Sequence, residues 1–117
     1  VREVDYCSGA AVALRRELFD RLGGFEACYA PAYYEDTDLA MKVREAGLKV
    51  RVQPASVVVH HEGITAGTDT GSGVKAYQVR NQKRFVERWR DTLARRHPAP
   101  SQAAHYAAQH RARARVL

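Results

Sequence analysis

Helix-patterned and strand-patterned runs follow one another along this short chain, and their succession predicts an α/β fold. Three observations carry the prediction. An acidic stretch, Glu35-Asp36-Thr37-Asp38, opens a helix-patterned run that ends at Gly47. Two β-patterned runs, residues 48–52 and 55–60, come directly after it. An amphipathic basic run over residues 74–95 then reads as a long helix. At 117 residues the chain is at most one domain with a small core.

Taken in order, Val4-Asp5-Tyr6-Cys7 reads as a strand that runs into the small residues Ser8-Gly9-Ala10-Ala11. Small residues at a strand end admit a ligand or another backbone, or simply pack tightly. The chain has no initiator Met and opens directly into this run, so a fragment of a longer protein is expected. Residues 12–14 continue extended, and residues 15–22 form a short helix. Leu14, Leu18 and Leu22 recur at every fourth position with Phe19 beside them, giving one apolar stripe. Gly23-Gly24 stops that helix in the left-handed conformation, and Phe25 can fold back on it. Residues 26–32, with Pro31, form a loop that delivers the acidic stretch.

Tyr33-Tyr34-Glu35-Asp36-Thr37-Asp38-Leu39 allows two readings. Asp36, Thr37 or Asp38 can cap the helix, since each has an oxygen to accept a free amide of the first turn, and the helix dipole favours carboxylates there. Alternatively, one carboxylate faces a cleft as a general base, held rigidly by the helix start and shielded from water by the tyrosines. The helix is expected to bury Leu39, Val43 and Ala46. Residues 48–52 alternate apolar and basic, so this strand has one solvated face. Pro54 breaks it. Residues 55–60, rich in Val, form a second strand that ends in His60-His61, which places His60-His61-Glu62-Gly63 at a strand mouth. The glycine-rich residues 63–73 read as a mobile loop. In the long helix Val74, Tyr77, Asn81, Phe85, Trp89 and Leu93 share a stripe opposite Lys75, Lys83, Arg84, Arg88 and Arg95. Such a helix packs on its own domain or lies on an anionic bilayer surface. Residues 98–117 are a basic, Ala- and Arg-rich tail, disordered or helical when bound.

The formal charge is +6, and it is unevenly placed: from residue 63 onward the only acids are Asp69, Glu87 and Asp91. This basic rear part suits an anionic surface. No zinc-finger, KH or RRM motif accompanies it, so no nucleic acid is expected, although a non-catalytic basic binding module for nucleic acid or membrane stands as the alternative function. Cys7 and Cys28 are the only cysteines, too few for a disulfide framework and without Cys-x-x-Cys spacing. They are expected to be reduced, in keeping with a cytoplasmic chain, and a structural zinc site from Cys7, Cys28, His60 and His61 is disfavoured. No apolar run approaches the ~20 residues of a membrane span. Asp36 and His60 together, a carboxylate and an imidazole, fit a divalent metal near a general base.

Five motifs then stand in order: Tyr6-Cys7-Ser8-Gly9-Ala10-Ala11, Leu22-Gly23-Gly24-Phe25, Tyr34-Glu35-Asp36-Thr37-Asp38-Leu39, Val59-His60-His61-Glu62-Gly63 and Arg80-Asn81. Together they closely resemble the second half of family 2 glycosyltransferases, and most of all the bacterial rhamnosyltransferase-type enzymes of cell-surface polysaccharide synthesis. The resemblance covers residues 4 to about 90. It implies a GT-A fold, a Rossmann-like sheet flanked by helices, of which residues 1–97 would be the C-terminal, acceptor-side half. It also implies an inverting transferase that uses a nucleotide-sugar donor, a saccharide or lipid-linked acceptor and a divalent metal, Mn or Mg. By the same resemblance Asp36 falls on the general base, Glu35 on its acidic neighbour and His60 on a metal ligand. Ser8, Gly9, Ala10, Tyr34 and Arg80 fall on the substrate-binding segments. The family's donor-binding half, with its own Asp-x-Asp at a strand end, is not in this chain. Asp36-Thr37-Asp38 shares that spelling but opens a helix instead, so the chain alone is expected to be inactive. The enzyme is expected in the cytoplasm, peripheral at the inner face of the plasma membrane.

Overall fold

A computed structural model describes residues 1–60 and 76–96, and the chain divides into two compact units, Val1–Lys83 and Arg84–Leu117. The architecture is mixed α/β. Among the described residues there are four α-helices and one two-stranded sheet. Strand β1 (Arg2–Val4) runs antiparallel to β2 (Val50–Val52), with Val4 opposite Val50 and Glu3 opposite Arg51. Directly opposed residues share a sheet face. Val50 is buried on one face, while Glu3 and Arg51 are exposed on the other. Lys49 also reaches Glu3 on that wet face at 2.8 Å, and this hydrogen bond holds the Glu3 carboxyl below its usual range.

The expected strand over residues 4–7 lies earlier, at Arg2–Val4, because its register is set by pairing with β2. A 3₁₀ turn, Gly9–Ala11, follows. Helix α1 (Arg16–Arg21) ends as the two glycines dictate, with φ of +80° at Gly23 and +64° at Gly24. Phe25 then folds back edge-on to Phe19, with ring centroids 5.3 Å apart. The leucine stripe is only half-buried, and no residue of α1 is fully covered.

Helix α2 (Glu35–Glu45) is the centre of the first unit. It buries Asp38, Leu39, Ala40, Met41 and Lys42, whereas Val43 is half-covered and Ala46 is exposed. The capping expectation is corrected here. The N-cap position is Tyr34, whose side chain makes no capping bond, and the carboxylates lie inside the first turn, where Asp36 still accepts the free Thr37 amide. Tyr33 and Tyr34 both adopt left-handed backbone, with φ of +75° and +76°, so the chain turns sharply into the helix. Gly47, at +76°, closes α2.

The strand expected at residues 55–60 does not form. Ser56 turns its N–H back to the Gln53 carbonyl at 3.0 Å, and Val57 and Val59 are 83% and 75% exposed. β-Branched residues favour strands because they pack well on a pleated neighbour, and no described strand pairs with them. His60 therefore does not stand at a strand mouth. His61, Glu62, the loop at 63–73 and the tail at 98–117 lie outside the described residues.

The long helix is two helices, α3 (Ala76–Arg88) and α4 (Arg90–Arg96), interrupted at Trp89. The expected stripe is present up to the interruption, where Asn81, Phe85 and Trp89 are buried. Beyond it the buried position is Thr92, which continues the same stripe at 3.6 residues per turn, and the expected Leu93 lies beside it, half-covered. Neither glycine nor proline lies at the break, and nothing else in the structure explains it.

Candidate functional site

Two segments 27 positions apart meet at Asp36. Ser8 Oγ accepts the Ala10 amide at 3.2 Å and so caps the 3₁₀ turn, which leaves the Gly9 N–H pointing at α2. That N–H donates to Asp36 Oδ2 at 2.7 Å. Glycine suits the approach, because a Cβ at position 9 would stand 3.1 Å from the Asp36 Cβ and 3.3 Å from Oδ2, tight enough to push the carboxylate back by a few tenths of an ångström. The other oxygen, Oδ1, accepts the Thr37 amide at 2.6 Å and the Thr37 hydroxyl at 3.1 Å. A carboxylate offers about four acceptor positions, so these three bonds fix Asp36 in place and leave room for one further donor.

Asp36 lies at the edge of an open cleft of about 590 Å³. Its walls are largely apolar, from Val12, Leu14, Leu18, Phe25, Leu39 and Val43, and Arg15, Arg21, Lys49 and Arg51 also line it. Cys7 belongs to the same lining, and its thiol is pushed up from its ordinary value by burial and then by the negative charge of Asp36. The Tyr34 phenol is likewise pushed up, first by burial and then by Tyr6, which brings Tyr6 into the neighbourhood of the site. Sequence reading did not single out Tyr6 on its own. Its one signal was membership of the Tyr6–Ala11 motif.

The three carboxylates of the acidic stretch have different surroundings. Glu35 is half-buried, and its Oε2 is enclosed without a hydrogen-bond partner among the described residues. Asp38 is fully buried, where Tyr29 donates its hydroxyl to Oδ1 at 3.2 Å and Lys42 Nζ stands 3.3 Å from Oδ2. Lys42 in turn pairs with Glu26 at 2.6 Å and donates to the Gly24 carbonyl at 3.2 Å. Two residues along a helix are about 200° around it. Asp36 and Asp38 therefore serve opposite sides, one the cleft and one the interior. Sequence reading grouped them, and the available signal was the Asp38–Lys42 spacing of one helical turn.

Ser8, Gly9 and Ala10 are exposed beside Asp36, and Tyr34 is half-buried at the head of α2. Glu35 and Tyr34 precede Asp36 directly in the chain, and Gly9 is the residue of the turn that bonds it. His60 is exposed and is not part of the cleft lining. Among the described residues no three His, Cys, Asp or Glu side chains gather into a set that could hold a metal ion. Arg80 lies apart from the cleft lining as well, and its Nη2 donates to the Ala30 carbonyl at 2.6 Å.

At the head of α2, Asp36 is thus a carboxylate held by a glycine amide from a distant turn and exposed to the cleft. The sequence model for glycosyl transferase family 21 matches residues 2–69, which takes in this whole site. The chain belongs to that family. It is similar to the N-acetylglucosaminyl-diphospho-decaprenol L-rhamnosyltransferase of Mycobacterium tuberculosis, 34% identical over 76 residues, which are 65% of this chain and 24% of that protein. It is also similar to the rhamnosyltransferase WbbL of Escherichia coli K12, 34% identical over 58 residues, 50% of this chain and 22% of that one. An uncharacterised protein of Sinorhizobium fredii is 29% identical over 83 residues, 71% of this chain and 9% of its own length. The chain spans about a quarter or less of the curated relatives it matches. No solved structure matches it. The resemblance to glycosyltransferases of the rhamnosyltransferase type is thus upheld, with family 21 as the matching family.

Proposed function

We propose that this chain is the acceptor-side part of an inverting, GT-A-type glycosyltransferase of the family 2 kind, with Asp36 as its general base. The observation that carries the reading is the bond from Gly9 N–H to Asp36 Oδ2 at 2.7 Å, which joins two separately recognised motifs at one carboxylate. A sugar hydroxyl is a poor nucleophile, so removing its proton in the transition state speeds attack. Asp36 would accept that proton as the acceptor oxygen bonds to the anomeric carbon. The bond from that carbon to the donor diphosphate breaks on the opposite face, and the configuration inverts. Glu35, Tyr34 and the Ser8–Gly9–Ala10 turn would border the acceptor and hold it in line, and the largely apolar cleft wall would limit competing water. Arg80 would touch substrate with the guanidinium donors not taken by Ala30 and Asn81.

A divalent ion, Mn or Mg, would neutralise the charge that develops on the departing diphosphate. His60 would be a single ligand toward it, with the others from the donor-binding half. For that reason this segment alone would be inactive. The names of the relatives point to an activated L-rhamnose as donor and, for the mycobacterial one, a diphosphoprenol-linked N-acetylglucosamine as acceptor. The work of such an enzyme would be cell-surface polysaccharide synthesis, at the cytoplasmic face of the membrane.

The test is Asp36→Asn in the full-length enzyme, assayed with a nucleoside-diphosphate L-rhamnose and a short-chain N-acetylglucosaminyl diphosphoprenol. Loss of a positioned base costs about 10²–10⁴-fold in rate, and donor affinity should hold. The amide keeps the size of the side chain, but its NH2 cannot accept, so one of the bonds from Gly9 or Thr37 is lost and the melting temperature is measured alongside. Wild-type turnover in this variant would sink the assignment.

A further inference from the structure

We propose that Asn81, with Arg80 beside it, is a positioning residue for Asp36, an inference that rests on reading Asp36 as the base. The Asn81 side chain is fully buried, and its Nδ2 donates to the carbonyl oxygens of Tyr29 at 2.7 Å, Ala32 at 2.8 Å and Tyr33 at 3.1 Å. An amide nitrogen carries two hydrogens, so its donor capacity is fully taken by this one loop. Asn81 Oδ1 accepts Arg80 Nε at 3.2 Å, which fixes which way the amide faces. Arg80 reaches the Ala30 carbonyl at 2.6 Å and lies over the Tyr77 ring at 4.4 Å, so a fourth carbonyl of the same loop is held from α3.

The loop so held leads straight into the site. Tyr33 and Tyr34 have φ of +75° and +76°, a region that L side chains avoid. Such a conformation persists only where its surroundings over-determine it, and Asn81 supplies that constraint at the Tyr33 carbonyl. The Tyr34 carbonyl then accepts the Asp38 amide at 2.8 Å to begin α2, with Asp36 in its first turn. If the turn relaxed, the first turn of α2 would rotate and draw Asp36 Oδ2 away from the Gly9 amide. The body of α2 is anchored separately through Lys42, which pairs with Glu26 and Asp38, so the disturbance would stay at the helix start. Neither Asn81 nor Arg80 lines the cleft, so the pair acts through the loop.

The experiment uses the full-length enzyme and the two substrates named above. Asn81→Ala should lower kcat on the order of 10–100-fold, the scale of a slightly misplaced catalytic group, while KM for both substrates holds and far-UV circular dichroism stays native. Tyr33→Gly places a residue at position 33 that takes positive φ freely, so adding it to Asn81→Ala should restore a substantial part of kcat. Wild-type kcat in a folded Asn81→Ala, a loss confined to KM, or no recovery in the double variant would each overturn the proposal. If Asn81→Ala does not fold, Arg80→Ala, which removes one exposed bond to the loop, should give a smaller kcat loss, and unchanged kcat there would overturn it. Asp36→Asn run in parallel separates the two ideas. An active Asp36→Asn sinks the base itself, whereas an inactive one beside a fully active Asn81→Ala sinks only the positioning role.

Discussion

Cys7 reports on the charge state of the site at the scale of single residues. Its thiol is pushed up by burial and by Asp36, so at neutral pH it stays protonated and reacts slowly, because the thiolate is the nucleophile. Removing the Asp36 charge takes away one of those causes. In Asp36→Asn, Cys7 should therefore react with iodoacetamide faster than in the wild type at the same pH. Cys28, exposed on a 3₁₀ turn, is the internal reference, and site-resolved mass spectrometry reads both. An unchanged Cys7-to-Cys28 ratio would mean that Asp36 carries no charge the thiol feels. How much of this site was legible in the sequence divides along the same line. The residue types were visible, since Asp36 and the Ser8-Gly9-Ala10 run each sit in a recognisable motif. Their contact was not visible, because nothing periodic links positions 27 apart. The separate fates of Asp36 and Asp38 were hidden too, since helix phase alone does not say which side meets the interior.

Helix α2 is tied down at the scale of elements by a buried ionic cluster rather than by apolar contacts alone. Asp38 is wholly enclosed, and Lys42, one turn on, brings it a counter-charge and extends to Glu26 and the Gly24 carbonyl. Breaking a buried pair by removing one partner strands the other in a poor solvent and costs about 3–5 kcal/mol. Lys42→Ala should thus lower the denaturation midpoint sharply. Lys42→Met with Asp38→Asn, which removes both charges and keeps the volume, should recover much of the loss. A midpoint for Lys42→Ala within error of wild type would show that the cluster is slack. Helices were the elements most readily read in advance, because a 3.6-residue period and glycine stops are local signals. Gly23, Gly24 and Gly47 all take the left-handed backbone their positions demand. The run at 55–60 misled because a β-rich composition states a preference for packing on a partner strand and says nothing of whether one is at hand. The break at Trp89 had no sequence signal of its own.

The +6 charge bears on where the molecule works. From the sequence, the rear helix could have inserted its aromatic residues into a bilayer. The structure removes that option for two of them, since Phe85 and Trp89 are 7% and 5% exposed. Lys83, Arg84, Arg88, Arg90 and Arg95 remain on the surface of α3 and α4. Attraction to a membrane through these helices would then be electrostatic, worth roughly 1 kcal/mol for each basic residue near an anionic surface, and screened over about 10 Å at 0.1 M salt. The full-length enzyme should therefore co-sediment with vesicles containing anionic lipid at low salt and release steeply as salt rises. It should ignore neutral phosphatidylcholine vesicles. Replacing Lys83, Arg84 and Arg88 with Glu should weaken the binding at low salt by about two orders of magnitude or more, on the same per-charge scale. Equal binding to neutral and anionic vesicles, or indifference to salt, would mean that apolar insertion elsewhere holds the enzyme and that this basic face is simply a solvated one.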